Sequence, residues 1–226
     1  MSKLSISKIL ILLSLVFVVG CSHKKDLKKL EDAHVRSILI VPPANNSQEV
    51  SASEVLLSTL PIPVAEGGYY VFPVHMVKRL LEDEGLSDTH LVHSSSTRKL
   101  ASLFGADAVL YATIEEWNTK YLVLSSQTEV KIHYTLKDAK SEQVLWEENQ
   151  HLVYTPDNGG GGGLGSLISA AVVSAVHKAA PDYLPLARQA SANAFIYPGP
   201  GLLPGPYSSK AQAKAEGDTK AKAKSK

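Results

Sequence analysis

The sequence predicts an α/β domain, a mixed sheet ending in a C-terminal antiparallel meander and flanked by helices. Three patterns predict it. Arg36–Pro43 holds the apolar run Ile38-Leu39-Ile40-Val41 closed by two prolines, which reads as a strand buried on both faces. Between about Gln48 and Phe104, apolar residues recur at helical spacing. From Ala108 onward the period drops to two, as in strands with one wet face.

The elements follow in order. Asn45-Asn46-Ser47 offers a turn and a helix cap, and Ser51-Ala52-Ser53-Glu54 fits a capping box ahead of Val55-Leu56-Leu57. A helix from about Gln48 to Leu60 is stopped by Pro61 and Pro63. Glu66-Gly67-Gly68 turns into Tyr69–Phe72, a short aromatic strand. Pro73 suits the first turn of a helix whose Val74, Val77, Leu80 and Leu81 share one face and which Gly85 terminates. Ser95-Ser96-Thr97 caps a further helix, with Leu100, Leu103 and Phe104 inward and Gly105 at its end.

The meander begins with Ala108, Leu110, Ala112 and Ile114 alternating with Val109, Tyr111, Thr113 and Glu115, a strand to Glu116. Val130, Ile132, Tyr134 and Leu136 alternate with Lys131, His133, Thr135 and Lys137 in the next. Asp138–Glu142 is a polar turn, and Val144-Leu145-Trp146 starts a return strand to about Tyr154. Asn158–Gly163 is a glycine hinge, Leu164–Ala180 a small-residue apolar segment suited to close helix packing, and Asp182–Ile196 a last helix. Beyond Tyr197 the Pro/Gly run cannot hold regular structure, and Lys210–Lys226 is a lysine–alanine tail read as disordered.

The N-terminus sets the expected location. Lys3 and Lys8 precede an apolar run from Ile9 to Val19 that ends at Cys21, the only cysteine among 226 residues. That is the layout of a secretory signal, and the run is shorter than the roughly 20 residues that span a bilayer. Val18-Val19-Gly20-Cys21 resembles a bacterial lipobox, which implies cleavage before Cys21 and acylation of its thiol. Ser22, in place of the aspartate that usually retains proteobacterial lipoproteins in the inner membrane, resembles the outer-membrane-sorted class. The expected divisions are therefore a lipoprotein signal peptide (1–20), a tether rich in lysine (21–34), one domain (35–197) and a tail (198–226). With its one cysteine acylated the chain has no thiol left for a disulfide, so the fold must rest on its core.

Composition and motifs exclude much. The formal net charge is +1, which supplies no global field for nucleic acid. His90-Leu91-Val92-His93 pairs two possible ligands, but its surroundings do not read as a helix and no third ligand stands near, so no metal site is expected. Glu115-Glu116 would point to opposite faces of a strand and cannot converge as acid and base. Gly159–Gly165 lacks the Lys-Ser/Thr ending of a phosphate-binding loop and reads as a linker. Ser94–Thr97 reads as a helix cap, and no Gly-x-Ser-x-Gly elbow occurs. No catalytic residue and no cofactor is expected. Tyr69, Tyr70 and Phe72 read first as core; any exposed part of that stripe would mark a partner surface.

Gly68-Tyr69-Tyr70-Val71-Phe72-Pro73-Val74, Gly105-Ala106-Asp107-Ala108-Val109-Leu110-Tyr111 and Leu136-Lys137-Asp138-Ala139, with the lipobox and the late glycine run, resemble a proteobacterial outer-membrane lipoprotein family of unknown function. That family includes a meningococcal-type surface lipoprotein antigen, and the resemblance covers nearly all of Cys21–Tyr197. More distantly, the strand–turn–strand is similar to the TolB N-terminal domain, the curli-secretion-channel periplasmic domain and the lipoprotein activators of penicillin-binding proteins. The resemblance implies a TolB-N-terminal-like fold and a non-enzymatic accessory or assembly factor. It would be held by acylated Cys21 in outer-membrane lipid, on the periplasmic side, and dock envelope lipoproteins or a channel. The alternative is a subunit of an envelope transport or export complex associated with a curli-channel-like lipoprotein. Self-association is open, and nucleic acid is not an expected partner.

Overall fold

The computed structural model describes residues 27–121, 126–154, 183–196, 201–209 and 211. Cys21, the Gly159–Gly165 run, the Leu164–Ala180 segment and the lysine–alanine tail apart from Ala211 lie outside the described residues. The elements are α1 (Lys28–Asp32), β1 (Ser37–Ile40), β2 (Ala44–Asn45), α2 (Ala52–Thr59), α3 (Pro61–Glu66), β3 (Tyr70–Val71), α4 (Val74–Asp83), α5 (Thr89–Ser94), α6 (Thr97–Phe104), β4 (Ala108–Tyr121), β5 (Ser126–Asp138), β6 (Val144–Tyr154) and α7 (Leu184–Phe195). The sheet is mixed, in the order β3-β1-β4-β5-β6. β1 runs parallel to β3 and β4, with Ile38 opposite Ala108 and Ile40 opposite Leu110. The meander β4-β5-β6 is antiparallel.

β2 continues β1 along the same side of β4, with Ala44 opposite Thr113. Between them, Pro42 and Pro43 lack the N–H groups that a ladder needs, so pairing stops and resumes.

The two halves of the sheet are covered differently. One face carries Ile38, Ile40, Leu110, Ile114, Ile132 and Tyr134 into the main core, roofed by α1, α2, α3 and α7. The other face carries Leu39, Val41, Val109 and Tyr111 under Val77 and Leu81 of α4, Val92 of α5 and Leu100 of α6. The first part of β4 is thus buried on both faces, where alternation alone reads as one dry face and one wet. Only from Thr113 onward does the second face open to water.

Several local expectations are corrected. Ser51 makes no capping bond to α2; its hydroxyl donates instead to the Glu49 carboxylate at 2.7 Å. Pro61 does not simply stop a helix: it occupies the first turn of α3, where its missing N–H costs nothing. His90–His93 does lie on a helix, α5, which the Asp88 carboxylate caps by accepting from His90 N and Leu91 N. β4 runs past Glu116 to Tyr121 because a bulge between Ile114 and Glu116 absorbs Glu115 without ending the ladder. The expected tether includes α1, whose Leu30 is buried in the main core.

The largest difference is at the C-terminal end. Residues 201–209 have almost no regular structure, yet they pack on the domain as a strap. Gly205 N donates to Gly67 O at 2.8 Å and Tyr207 N to Gly68 O at 3.0 Å. Leu202 and Leu203 pack against the main core. Ordered chain therefore extends beyond Tyr197, and the strap takes its order from the domain beneath it.

Two carboxylates tie the strands to their neighbours. Gly105, at φ +70, ends α6, and Asp107 follows. The Asp107 carboxylate accepts from Arg36 N, Ser37 N and the Ser37 hydroxyl, each at 3.0 Å, and so holds the start of β1 to the start of β4. Glu142, at the β5–β6 turn, accepts from Thr97 N at 3.1 Å and the Ser96 hydroxyl at 3.0 Å, placing an anion at the α6 N-terminus.

Candidate partner-binding surface

β3 is a two-residue edge strand, held by Tyr70 N donating to Arg36 O at 2.9 Å. Strand alternation sends Tyr69 and Val71 toward the main core and Tyr70 and Phe72 to the other side. Tyr69 is only 6% exposed, and its hydroxyl donates to Leu203 O of the strap at 2.7 Å. Burial pushes its phenol up to about 12. Tyr69 is therefore an internal anchor. Tyr70 is 51% exposed, its ring meeting Phe72 edge-on at 5.1 Å, and Phe72 meets Phe104 of α6 at 5.8 Å. Exposed Leu103 adjoins Phe104 in the chain. The expected trio thus divides: Tyr69 faces inward, and Tyr70 and Phe72 begin an aromatic stack rooted in the second core.

The two candidate histidines separate as well. His90 is exposed. The His93 ring lies edge-on to Tyr111, centroids 5.2 Å apart, and its Nε2 donates to the Pro42 carbonyl at 3.0 Å. Burial holds its pKa below the usual histidine value; the Pro42 carbonyl opposes that shift, and His90 and Lys137 reinforce it. His93 is thus a neutral ring that pins α5 to the end of β1. Among the described residues no three His, Cys, Asp or Glu side chains are grouped to hold a metal ion.

Glu115 sits exposed in the bulge, whereas Glu116 accepts from Lys131 Nζ at 2.6 Å across the ladder. The open face of the meander continues this polar network. His133 bonds Asn149 Oδ1 through Nδ1 at 2.7 Å and the Thr135 hydroxyl through Nε2 at 3.0 Å, and His151 Nε2 donates to Glu129 at 2.7 Å. All lie on one sheet face, and the His133–Asn149 and His151–Glu129 bonds cross between strands and help hold the ladder in register.

The Ser94–Thr97 hydroxyls are structural too. Ser94 and Ser95 donate to Leu91 O, and Ser96 caps α6. A groove of about 440 Å³ runs between α2 and α4, lined by Leu57, Val74, His75 and Glu82, with Lys78 paired to Glu54 across it. None of His90, His93 or Glu115 lines it. No helix among the described residues is long and apolar enough to cross a membrane.

Sequence reasoning missed the strap and both carboxylate clamps. Each joins residues far apart in the chain, and the one local signal was the glycines at 67, 68 and 205, whose purpose appears only when they meet.

Comparison with known proteins places this geometry. Residues 25–207 match the family model described as "Putative lipoprotein GNA1162-like", a span that includes most of the strap. The curated "Putative lipoprotein NMB1124/NMB1162" of Neisseria meningitidis serogroup B is 32% identical over 182 residues, covering 80% of this chain and 85% of that protein. The crystal structure of lipoprotein GNA1162 from Neisseria meningitidis has the same fold, at a TM-score of 0.54 and 34% identity, covering 63% of this chain and 98% of the other. More remotely, the LpoB C-terminal domain from Salmonella enterica aligns at a TM-score of 0.36 and 18% identity, over 56% of this chain and 91% of that one.

Proposed function

Because the chain belongs to the GNA1162-like lipoprotein family, we propose that it is a lipid-anchored accessory protein of the cell envelope that docks protein partners and performs no chemistry. Acylated Cys21 holds it on the periplasmic side of the outer membrane, and the exposed end of the β3 aromatic stack contacts the partner. The observation that carries the docking site is Tyr70: half-exposed, at a sheet edge, and braced from behind by Phe72 and Phe104. A pre-positioned aromatic ring of this kind gives contact area at little entropic cost, as anchors in protein interfaces do. The titratable side chains of the meander face are engaged with one another, which supports a binding module over a catalytic one.

The test is site-specific photocrosslinking in intact cells from Tyr70, with Lys99 as a control position, followed by mass spectrometry. Envelope proteins captured from Tyr70 and not from Lys99 support the reading, and their identity separates an assembly factor from a transport or export subunit. Equal capture from both positions would remove Tyr70 as the docking site. Cys21→Ser should move the chain from membranes to the soluble fraction; unchanged retention would sink the anchor.

A further inference from the structure

β6 is the last strand of the sheet and is long, spanning Val144–Tyr154. Among the described residues it pairs with β5 alone. An edge of this length is a template for another strand unless its side chains forbid pairing. Glu147 and Glu148 would forbid many partners, so what matters is which partner strand they accept. β6 itself is such a strand, in one register.

Two identical antiparallel strands meet about a two-fold axis, which places one residue opposite its own copy and every other residue opposite its mirror position. An axis at Glu147 or at Glu148 sets carboxylate against carboxylate, which is destabilising. An axis at Gln150 sets Glu148 against Leu152 and Glu147 against Val153, leaving both acids against apolar side chains. An axis at Asn149 sets Glu147 against His151, Glu148 against Gln150, Trp146 against Leu152, and Asn149 against its copy. Acid then faces imidazole or amide, amide faces amide, and apolar faces apolar. Glu147 and His151 are on the open face, with side chains 53% and 50% exposed. The bulge at Leu145 limits the regular ladder at one end, and the matched pairs from Trp146 to Leu152 stop short of it.

We propose that β6 is a homophilic edge: two copies of this chain join β6 to β6, antiparallel about Asn149, and make one continuous sheet. The acidic pair that shields the edge from other strands selects this register. The inference uses neither the lipid anchor nor the Tyr70 surface.

Disulfide trapping on membranes carrying the full chain tests it. Directly opposed antiparallel residues have Cα atoms about 4.5–5.5 Å apart, inside the window for a disulfide, whereas copies offset by two residues exceed its limit of about 7 Å. Asn149→Cys should therefore give an oxidant-induced dimer about ten-fold above Glu148→Cys, Gln150→Cys and the parent chain, which reports any background from Cys21. Adding Glu147→Lys to Asn149→Cys should lower the yield, and adding His151→Glu as well should restore it. A maximum at another position, equal yields at all three, or no dimer from a thiol that maleimide labels freely would each overturn the proposal. The cysteine replaces an exposed side chain but gives up its bond to His133, so a cooperative urea transition of the variant confirms that the fold is kept.

Discussion

Gly68→Ala is the sharpest single perturbation of this fold. Gly68 sits at φ +90, and a Cβ placed there would lie 2.4 Å from Ser208 N and 2.6 Å from Ser208 Cβ. Backbone cannot swing aside as a long side chain can, so the strap must lift. Gly205 presses from the other side: a Cβ on it would meet Gly68 O at 2.3 Å. The left-handed conformation alone costs alanine about 1–2 kcal/mol. Lifting the strap loses Gly205 N–Gly67 O, Tyr207 N–Gly68 O and Tyr69 Oη–Leu203 O, at about 1 kcal/mol each. The expected total is about 4–5 kcal/mol, against about 1–2 if only the backbone term acts. Urea unfolding measures it, in the full-length mature domain and again in a chain ending at Ile196. The cycle isolates the strap, because with no strap Gly68→Ala should cost only its conformational share. A cost equal in both backgrounds, within about 0.5 kcal/mol, would refute the interlock. Hydrogen exchange over residues 201–209 should rise in the Gly68→Ala protein at the same time.

Three further outcomes are expected. Asp107→Ala should cost about 2 kcal/mol in urea unfolding, since it strips the shared acceptor from the Arg36 and Ser37 N–H groups at the entry to β1. Asp138 contributes to the acid dependence: burial alone would raise its pKa, but hydrogen bonds from Ser141 N, the Ser141 hydroxyl and Lys140 N outweigh it and hold the group below the ordinary carboxylate value. Its stabilisation is therefore complete above the unfolded value of about 4 and is lost as pH falls through the lower folded value, so Asp138→Asn should flatten that part of the acid limb measured by urea midpoint against pH. Removing Gln212–Lys226 should leave the melting temperature almost unchanged, while removing everything from Gly201 should lower it clearly; equal effects would mean that the strap contributes nothing.

What could be read in the sequence was what depends on near neighbours. α4 and α6 carry helical periodicity and end at Gly85 and Gly105, both at positive φ, as glycine at a helix end suggests. β5 alternates cleanly because one of its faces is wet. The failures also have physical causes. α5 is only six residues long, too short to show a period, and depends on the Asp88 cap. β4 outruns its apparent end because a bulge lets one residue slip without breaking the ladder. The strap has the composition of a disordered segment, since proline and glycine resist regular structure; nothing local shows that Gly205 can approach Gly68 where any larger residue could not.

That contact also accounts for the shape of the Gly68–Val74 motif. Gly68 gives the strap room to approach, and Tyr69 reaches under it to Leu203. Tyr70 joins β3 to β1 through its N–H, and half-buried Val71 packs against the main core. Phe72 crosses to the second core, and Pro73 opens α4. Of the side chains in the run, the ring of Tyr70 has the lightest structural duty. Half-exposed, it makes one edge-on contact with Phe72, worth about 0.5–1.5 kcal/mol. Tyr70→Ser is accordingly expected to cost no more than about 1.5 kcal/mol in urea unfolding while abolishing partner capture. A large loss of stability with capture intact would instead make Tyr70 one more brace of the fold.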